Sequence, residues 1–189
     1  MNRTSFQSIK PQLREVWRLS LPAILTQITT IAMQYIDSAM VGRLGANASA
    51  AIGIVASSTW LMNGVCYALA AGFSVQVAHR IGAGNEKGAR NVVRHGLISA
   101  LIVSGLLCLI GVAIHMHLPV WLKGDAEITY DAGRYFLTFA WMLPFTQMSS
   151  LTSSFLQCAG DMLTPSILNA VMCVLDVIFN TLLIPKHGV

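Results

Sequence analysis

The stretch "LSLPAILTQITTIAMQYIDSAMV", residues 19–41, is suited to lipid except at one point. Between Leu19 and Val41 the only charged residue is Asp37. A membrane-spanning helix needs about 20 predominantly apolar residues, and this run supplies them. A carboxylate in hydrocarbon costs about 2.5–3.5 kcal/mol on insertion scales, so its presence points to function. Helix capping does not account for it, because a carboxylate near a helix C-terminus meets the negative end of the dipole.

The whole chain has the same character. Of its 189 residues, 54% are hydrophobic and 11% charged, against about 25% charged in ordinary soluble domains. Mean hydropathy is +0.63. These values specify an all-α integral membrane protein. The net charge of +4 is not read as a nucleic-acid signal, because the cations cluster beside apolar runs. Cys66, Cys108, Cys158 and Cys173 all fall within apolar segments and lack the spacing of a metal site. The basic, then apolar, N-terminus resembles a signal peptide. Its apolar run is too long for one and contains Gln27 and Gln34, so it is read as a retained first span.

Five apolar segments are expected to be transmembrane helices, at about 16–41, 48–78, 95–118, 130–159 and 166–184. Their continuous hydrophobicity lacks the alternation of barrel strands. Lys and Arg collect in the N-terminal arm (Arg3, Lys10, Arg14, Arg18) and in the loop after the second segment (Arg80, Lys87, Arg90, Arg94). The positive-inside rule therefore places the N-terminus in the cytoplasm of a multi-pass protein of the inner (plasma) membrane.

Polar residues within the spans form stripes. Gln27, Thr30, Gln34 and Asp37 follow helical spacing in the first segment. Asn169, Cys173, Asp176 and Asn180 do so in the fifth. The two segments run in the same direction, and both carboxylates fall in the outer half of the bilayer, so one cavity is expected to hold them. Lipid offers polar side chains no partners, which turns these stripes toward other helices or water. Asn63 and Tyr67 form an i, i+4 pair in the second segment and are candidates to line the same cavity. Pro22 and Pro144 interrupt the first and fourth segments, where each frees a carbonyl and permits bending.

No enzyme is indicated: the serines have no His or Lys partner at matching depth. The loop "IGAGNEKGA" contains glycines but is not a phosphate-binding P-loop.

Taken in order, "SLPAILTQ", "IDSAMVGRLGA", "IGAGNEKGAR", "CAGDMLTPS" and "LDVIFNTLLI" resemble the multidrug and toxic compound extrusion (MATE) family, most closely its DNA-damage-inducible branch. The resemblance extends from about Arg14 to Ile184. It implies two six-helix lobes around a central cleft, and export of cationic or amphipathic drugs in exchange for H+ or Na+. Asp37 matches the family's first-helix aspartate, and Pro22 the proline linked to bending of that helix. The family's fifth-helix Asn/Asp pair occurs here in reversed order, as Asp176 and Asn180, and Gln157 stands where an arginine usually precedes the "AGD" motif. The expected ion-coupling residues are Asp37, Asp176, Asn180 and Gln34, with Thr30, Asn63, Tyr67 and Asn169 lining the substrate cavity. The only metal expected is a coupling Na+ at Asp37 and Asp176, with no further cofactor. The expected partners are the lipid bilayer, the small-molecule substrate and a missing C-terminal lobe. Five segments fall short of one six-helix lobe, so the chain is expected to be an N-terminal fragment. Two alternatives are a lipid-linked sugar flippase of the same superfamily and a non-transporting truncated fragment.

Overall fold

The computed structural model describes residues 3–183; within it, side chains are described for residues 13, 14, 16, 17, 20, 21 and 23–182. Six helices follow in order: α1 (Arg3–Gly42), α2 (Ala46–Gly82), α3 (Glu86–Ile114), α4 (Leu118–Trp121), α5 (Ala126–Cys158) and α6 (Leu163–Leu183). No strand occurs among the described residues. The first two apolar segments fall within α1 and α2; the third runs past the end of α3 into α4, the fourth ends one residue beyond α5, and the fifth lies in α6 up to residue 183. Of these, α2, α3 and α6 are long and apolar enough to cross a membrane.

The helices extend beyond the apolar segments. Helix α1 begins at Arg3 rather than near Val16, and α3 at Glu86 rather than near His95. Hydrophobicity marks where lipid begins, whereas a helix continues until its backbone is capped. At about 1.5 Å per residue, the 40 residues of α1 reach about 60 Å, twice the bilayer core of about 30 Å. The break "PVWLKGDAE" contains the unforeseen single turn α4, which opens with Pro119 in its first turn and buries Leu118 and Pro119.

The helix ends explain the glycine-containing loops. After α2, Gly84 takes φ +69°, a left-handed conformation that turns the chain. Asn85 then accepts a hydrogen bond through its side chain from the Gly88 amide at 2.8 Å, capping α3. "GAGNEKG" is thus a helix–turn–helix joint. Helix α5 ends in the same manner at Gly160, φ +91°.

The chain divides into two compact units, α1 with α6 and α2 through α5. In the second unit, Ala51, Val55, Met62 and Cys66 of α2 cluster with Leu118 and with Ala132, Phe136 and Leu143 of α5. Further along, Ala70 and Val77 meet Ala100 of α3 and Leu151 and Phe155 of α5. Numbers rise together along α2 and α5, so these helices run parallel. Gly96 lies against Phe155 and Gly111 against Ala140, so α3 runs antiparallel to α5. The buried face of α3 is a row of small residues, Ala89, Gly96, Ala100, Ser104, Cys108 and Gly111. Such rows let helix backbones approach closely in lipid, where area burial alone gives little drive.

This packing predicts opposite outcomes at two glycines. A Cβ on Gly111 would stand 2.7 Å from Ala140 Cβ, whereas one on Gly105 would meet nothing within 4 Å. Gly111→Ala is expected to cost about 1–3 kcal/mol through overpacking, and Gly105→Ala to gain about 0.5–1 kcal/mol in helix propensity. Thermal unfolding of the detergent-solubilised chain, followed by circular dichroism, should rank Gly105→Ala at or above wild type and Gly111→Ala clearly below it.

Candidate functional site

The candidate site lies between α1 and α6. Helix α6 starts from a side-chain cap. Asp161 Oδ1 accepts from the Thr164 amide at 3.0 Å, and Asp161 Oδ2 from the Thr164 hydroxyl at 2.6 Å. These bonds favour the ionised carboxylate and hold Asp161 below the usual carboxylate range. Pro165 follows in the first turn, where a missing N–H costs no helical bond.

From this start, three polar contacts join the helices. Thr26 and Ser166 hydroxyls meet at 2.8 Å. Asn169 Nδ2 donates to Thr30 Oγ1 at 2.9 Å, and Thr30 Oγ1 in turn donates to the Thr26 carbonyl at 3.0 Å. Asn180 Nδ2 donates to Asp37 Oδ1 at 2.8 Å and to Asp176 Oδ2 at 3.1 Å. Position rises on both helices together, so α1 and α6 pack in parallel, as expected from segments running in the same direction. Thr26, Thr30, Met33, Asp37 and Met40 are half-buried on α1, and Ser166, Asn169, Cys173, Asp176 and Asn180 on α6. Both sets step by three and four residues, the spacing of a knobs-into-holes seam.

The carboxylates meet at one end of this seam. The two protons of the Asn180 amide match the two acceptors, one on each helix. The shared donor thus brings the Asp37 and Asp176 carboxylates to one point. No Lys or Arg occurs between Leu19 and Val41 or within Leu163–Leu183, so neither helix segment supplies a counter-charge. Among the described residues, no cluster of three or more His, Cys, Asp or Glu side chains is placed to hold a metal.

The structure thus brings Asp37, Asp176, Asn180, Thr30 and Asn169 onto one seam. Gln34 departs from the expected stripe. Its side chain is exposed, while its carbonyl accepts from the Ser38 hydroxyl at 2.8 Å. The ladder 27, 30, 34, 37 shares Thr30 and Asp37 with the ladder 26, 30, 33, 37, and packing against α6 uses the second. Asn169 and Thr30 tie two helices together, which occupies the polar groups that were expected to face a cavity. Asn63 and Tyr67 belong to the other unit. They are exposed on α2 and line a cavity of about 210 Å³ with Cys66, Thr146, Gln147 and Ser150. Pro144 lies inside α5. The side chain of Pro22 lies outside the described residues.

Sequence reasoning missed Thr26, Ser166 and Gln147. Ser166 stands three residues before Asn169 on the same ladder, which was the available signal. Gln147, buried beside Pro144, donates through Nε2 to the Cys66 carbonyl at 3.0 Å and so joins α5 to α2.

A family model, MatE, matches residues 22–182. The chain belongs to the MatE family. The expected resemblance to the MATE family is thereby borne out, and the members of this family are transporters, not enzymes. MatE relatives include a probable multidrug resistance protein NorM of Thermotoga maritima, 25% identical over 187 residues, covering 95% of this chain and 40% of the relative. A probable NorM of Listeria monocytogenes is 32% identical over 141 residues, covering 74% of this chain and 30% of the relative. The multidrug resistance protein PmpM of Pseudomonas aeruginosa is 34% identical over 103 residues, covering 52% and 20% respectively. The chain therefore spans at most about two fifths of the length of these relatives. The fold matches a crystal structure of MATE in complex with MaD3S with a TM-score of 0.81, at 24% identity over 87% of this chain and 38% of that one. The observed helices are those of a partial lobe of this fold.

The α6 cap gives a pH prediction. A depressed carboxylate pKa stabilises the folded state fully above the ordinary pKa, and the contribution fades as pH falls through the folded value. Thr164→Val removes the hydroxyl donor but keeps the amide. An NMR titration of Asp161 should then move toward the ordinary carboxylate range, and wild-type α6 should fray at its first turn only at strongly acidic pH.

Proposed function

We propose that the chain forms part of an ion-coupled antiporter that exports cationic or amphipathic compounds, with Asp37 and Asp176 binding the coupling ion. The observation that carries this reading is the Asn180 amide held between two carboxylates in helix segments, residues 19–41 and 163–183, that contain no Lys or Arg. Two negative charges around one neutral donor repel each other, and burial in a low dielectric strengthens the repulsion. A proton shared by the carboxylates, or Na+ bound between them and the Asn180 carbonyl, would relieve it. Loading and unloading would favour different arrangements of the seam, and an ion shifts a conformational equilibrium only by such differential binding. Inward movement of one charge releases about 2.3 kcal/mol per 100 mV of membrane potential, which offsets the outward movement of a monovalent cation and leaves the ion's concentration gradient to drive export.

The drug-resistance names of the NorM and PmpM relatives support the substrate class. The acidic seam supports a cation over the anionic pyrophosphate that a lipid-linked sugar flippase must hold. Alternating access requires two repeats that rock around the site, so this role belongs to the protein together with a second lobe. The basic N-terminal arm and the cations at the end of α2 and the start of α3 (Arg80, Lys87, Arg90, Arg94) support a cytoplasmic N-terminus.

The test is efflux of a lipophilic cation dye from cells expressing the chromosomal reading frame that carries this chain. Asp37→Asn should reduce efflux at least tenfold and remove its dependence on pH or Na+. Asn180→Ala should leave a weaker activity whose ion dependence is displaced. Wild-type efflux with unchanged ion dependence in Asp37→Asn would sink the role of that carboxylate.

A further inference from the structure

The α2–α5 unit holds a second feature, unrelated to the acidic seam. A groove of about 760 Å³ opens where the end of α2, the start of α3 and the end of α5 converge. This lies within the range of about 300–1,000 Å³ typical of small-molecule sites. Its floor is apolar, built by Val77 of α2, Val93 and Leu97 of α3 and Phe155 of α5. Its rim is charged, with Glu86, Arg90 and Arg94 at four-residue intervals along one face of α3. Both arginines are exposed. The rim therefore has a net charge of +1, from two guanidinium groups and one carboxylate.

We propose that this groove binds an anionic phospholipid, with one acyl chain along the apolar floor and the headgroup phosphate between Arg90 and Arg94. The net charge of the rim complements the single negative charge of a phosphodiester. Guanidinium groups suit phosphate geometry through paired N–H donors. Depth also agrees. Arg90 and Arg94 stand about 6 and 12 Å along α3 from Glu86, and Leu97 follows on the hydrocarbon side. Polar headgroup contacts thus precede apolar contacts in the order a membrane presents them. Basic pockets between membrane helices on the cytoplasmic side are suited to such headgroups. Arg80, in the last turn of α2, and Lys87, in the first turn of α3, add charge nearby but do not line the groove, so they separate general attraction from site binding.

The test is native mass spectrometry of the full chain released from nanodiscs containing equal phosphatidylglycerol and phosphatidylcholine, with circular dichroism to verify folding. Wild type should retain phosphatidylglycerol in several-fold excess. Arg90→Gln with Arg94→Gln should abolish the excess. Arg80→Gln with Lys87→Gln should preserve it. Ile98→Trp, which fills the groove from an exposed lining position, should lower retention of both lipids. Equal retention of the two lipids by wild type would overturn the proposal. So would an equal loss in the Arg80/Lys87 variant, or occupation by a second copy of the chain seen as a dimer that lipid does not displace.

Discussion

Hydrocarbon offers no hydrogen bonds, and this constraint shapes the α1–α6 unit. Each half-buried polar group on the seam must find its partner in protein, because leaving it in lipid is costly. The hydroxyls of Thr26 and Ser166, the Thr30–Asn169 contact and the Asn180 bridge to Asp37 and Asp176 meet that requirement in sequence along one line. Individually such contacts contribute only about 0.6 kcal/mol. Their collective effect is register: a shift of either helix by one turn would separate the Asn180 amide from its acceptors.

The second unit meets the same constraint by other means. Its buried polar side chains are few, and they bond backbone carbonyls. Ser104 donates to Ala100 at 2.6 Å within α3, and Gln147 reaches across to Cys66. The remaining contact is apolar packing around Phe136, Leu143 and Leu151. One unit thus joins its helices through polar side chains, and the other chiefly through apolar packing, with a few side-chain bonds to backbone carbonyls and a charged rim.

Much of this was legible in the sequence. Five apolar runs announce five long helices, because hydrophobic length is what lipid selects. The parallel sense of α1 and α6 followed from counting spans, and the Asp37–Asp176–Asn180 convergence from helical spacing. Gln34 was misplaced because two ladders pass through Thr30 and Asp37. Spacing alone does not choose between them, and the polar residue at 34 was favoured over Met33 at the seam. Thr26 and Ser166 escaped notice because hydroxyls so often bond their own helix. The turn α4 was invisible because four residues have no periodicity to read. Helices α1 and α3 run beyond the N-terminal ends of their apolar segments, which hydrophobicity alone does not mark.

The row of alanine, glycine, serine and cysteine along α3 has a mechanical consequence. Long side chains absorb displacement by changing rotamer, and a contact made of them yields gradually. Small residues have almost no such freedom, and close-packed interiors transmit strain rather than dissipate it. Where Gly111 lies against Ala140, α3 has no soft layer between it and α5, whereas at Gly96 the Phe155 ring fills the space between the two helices. A force applied at one end of this helix pair is carried along its length as through a beam.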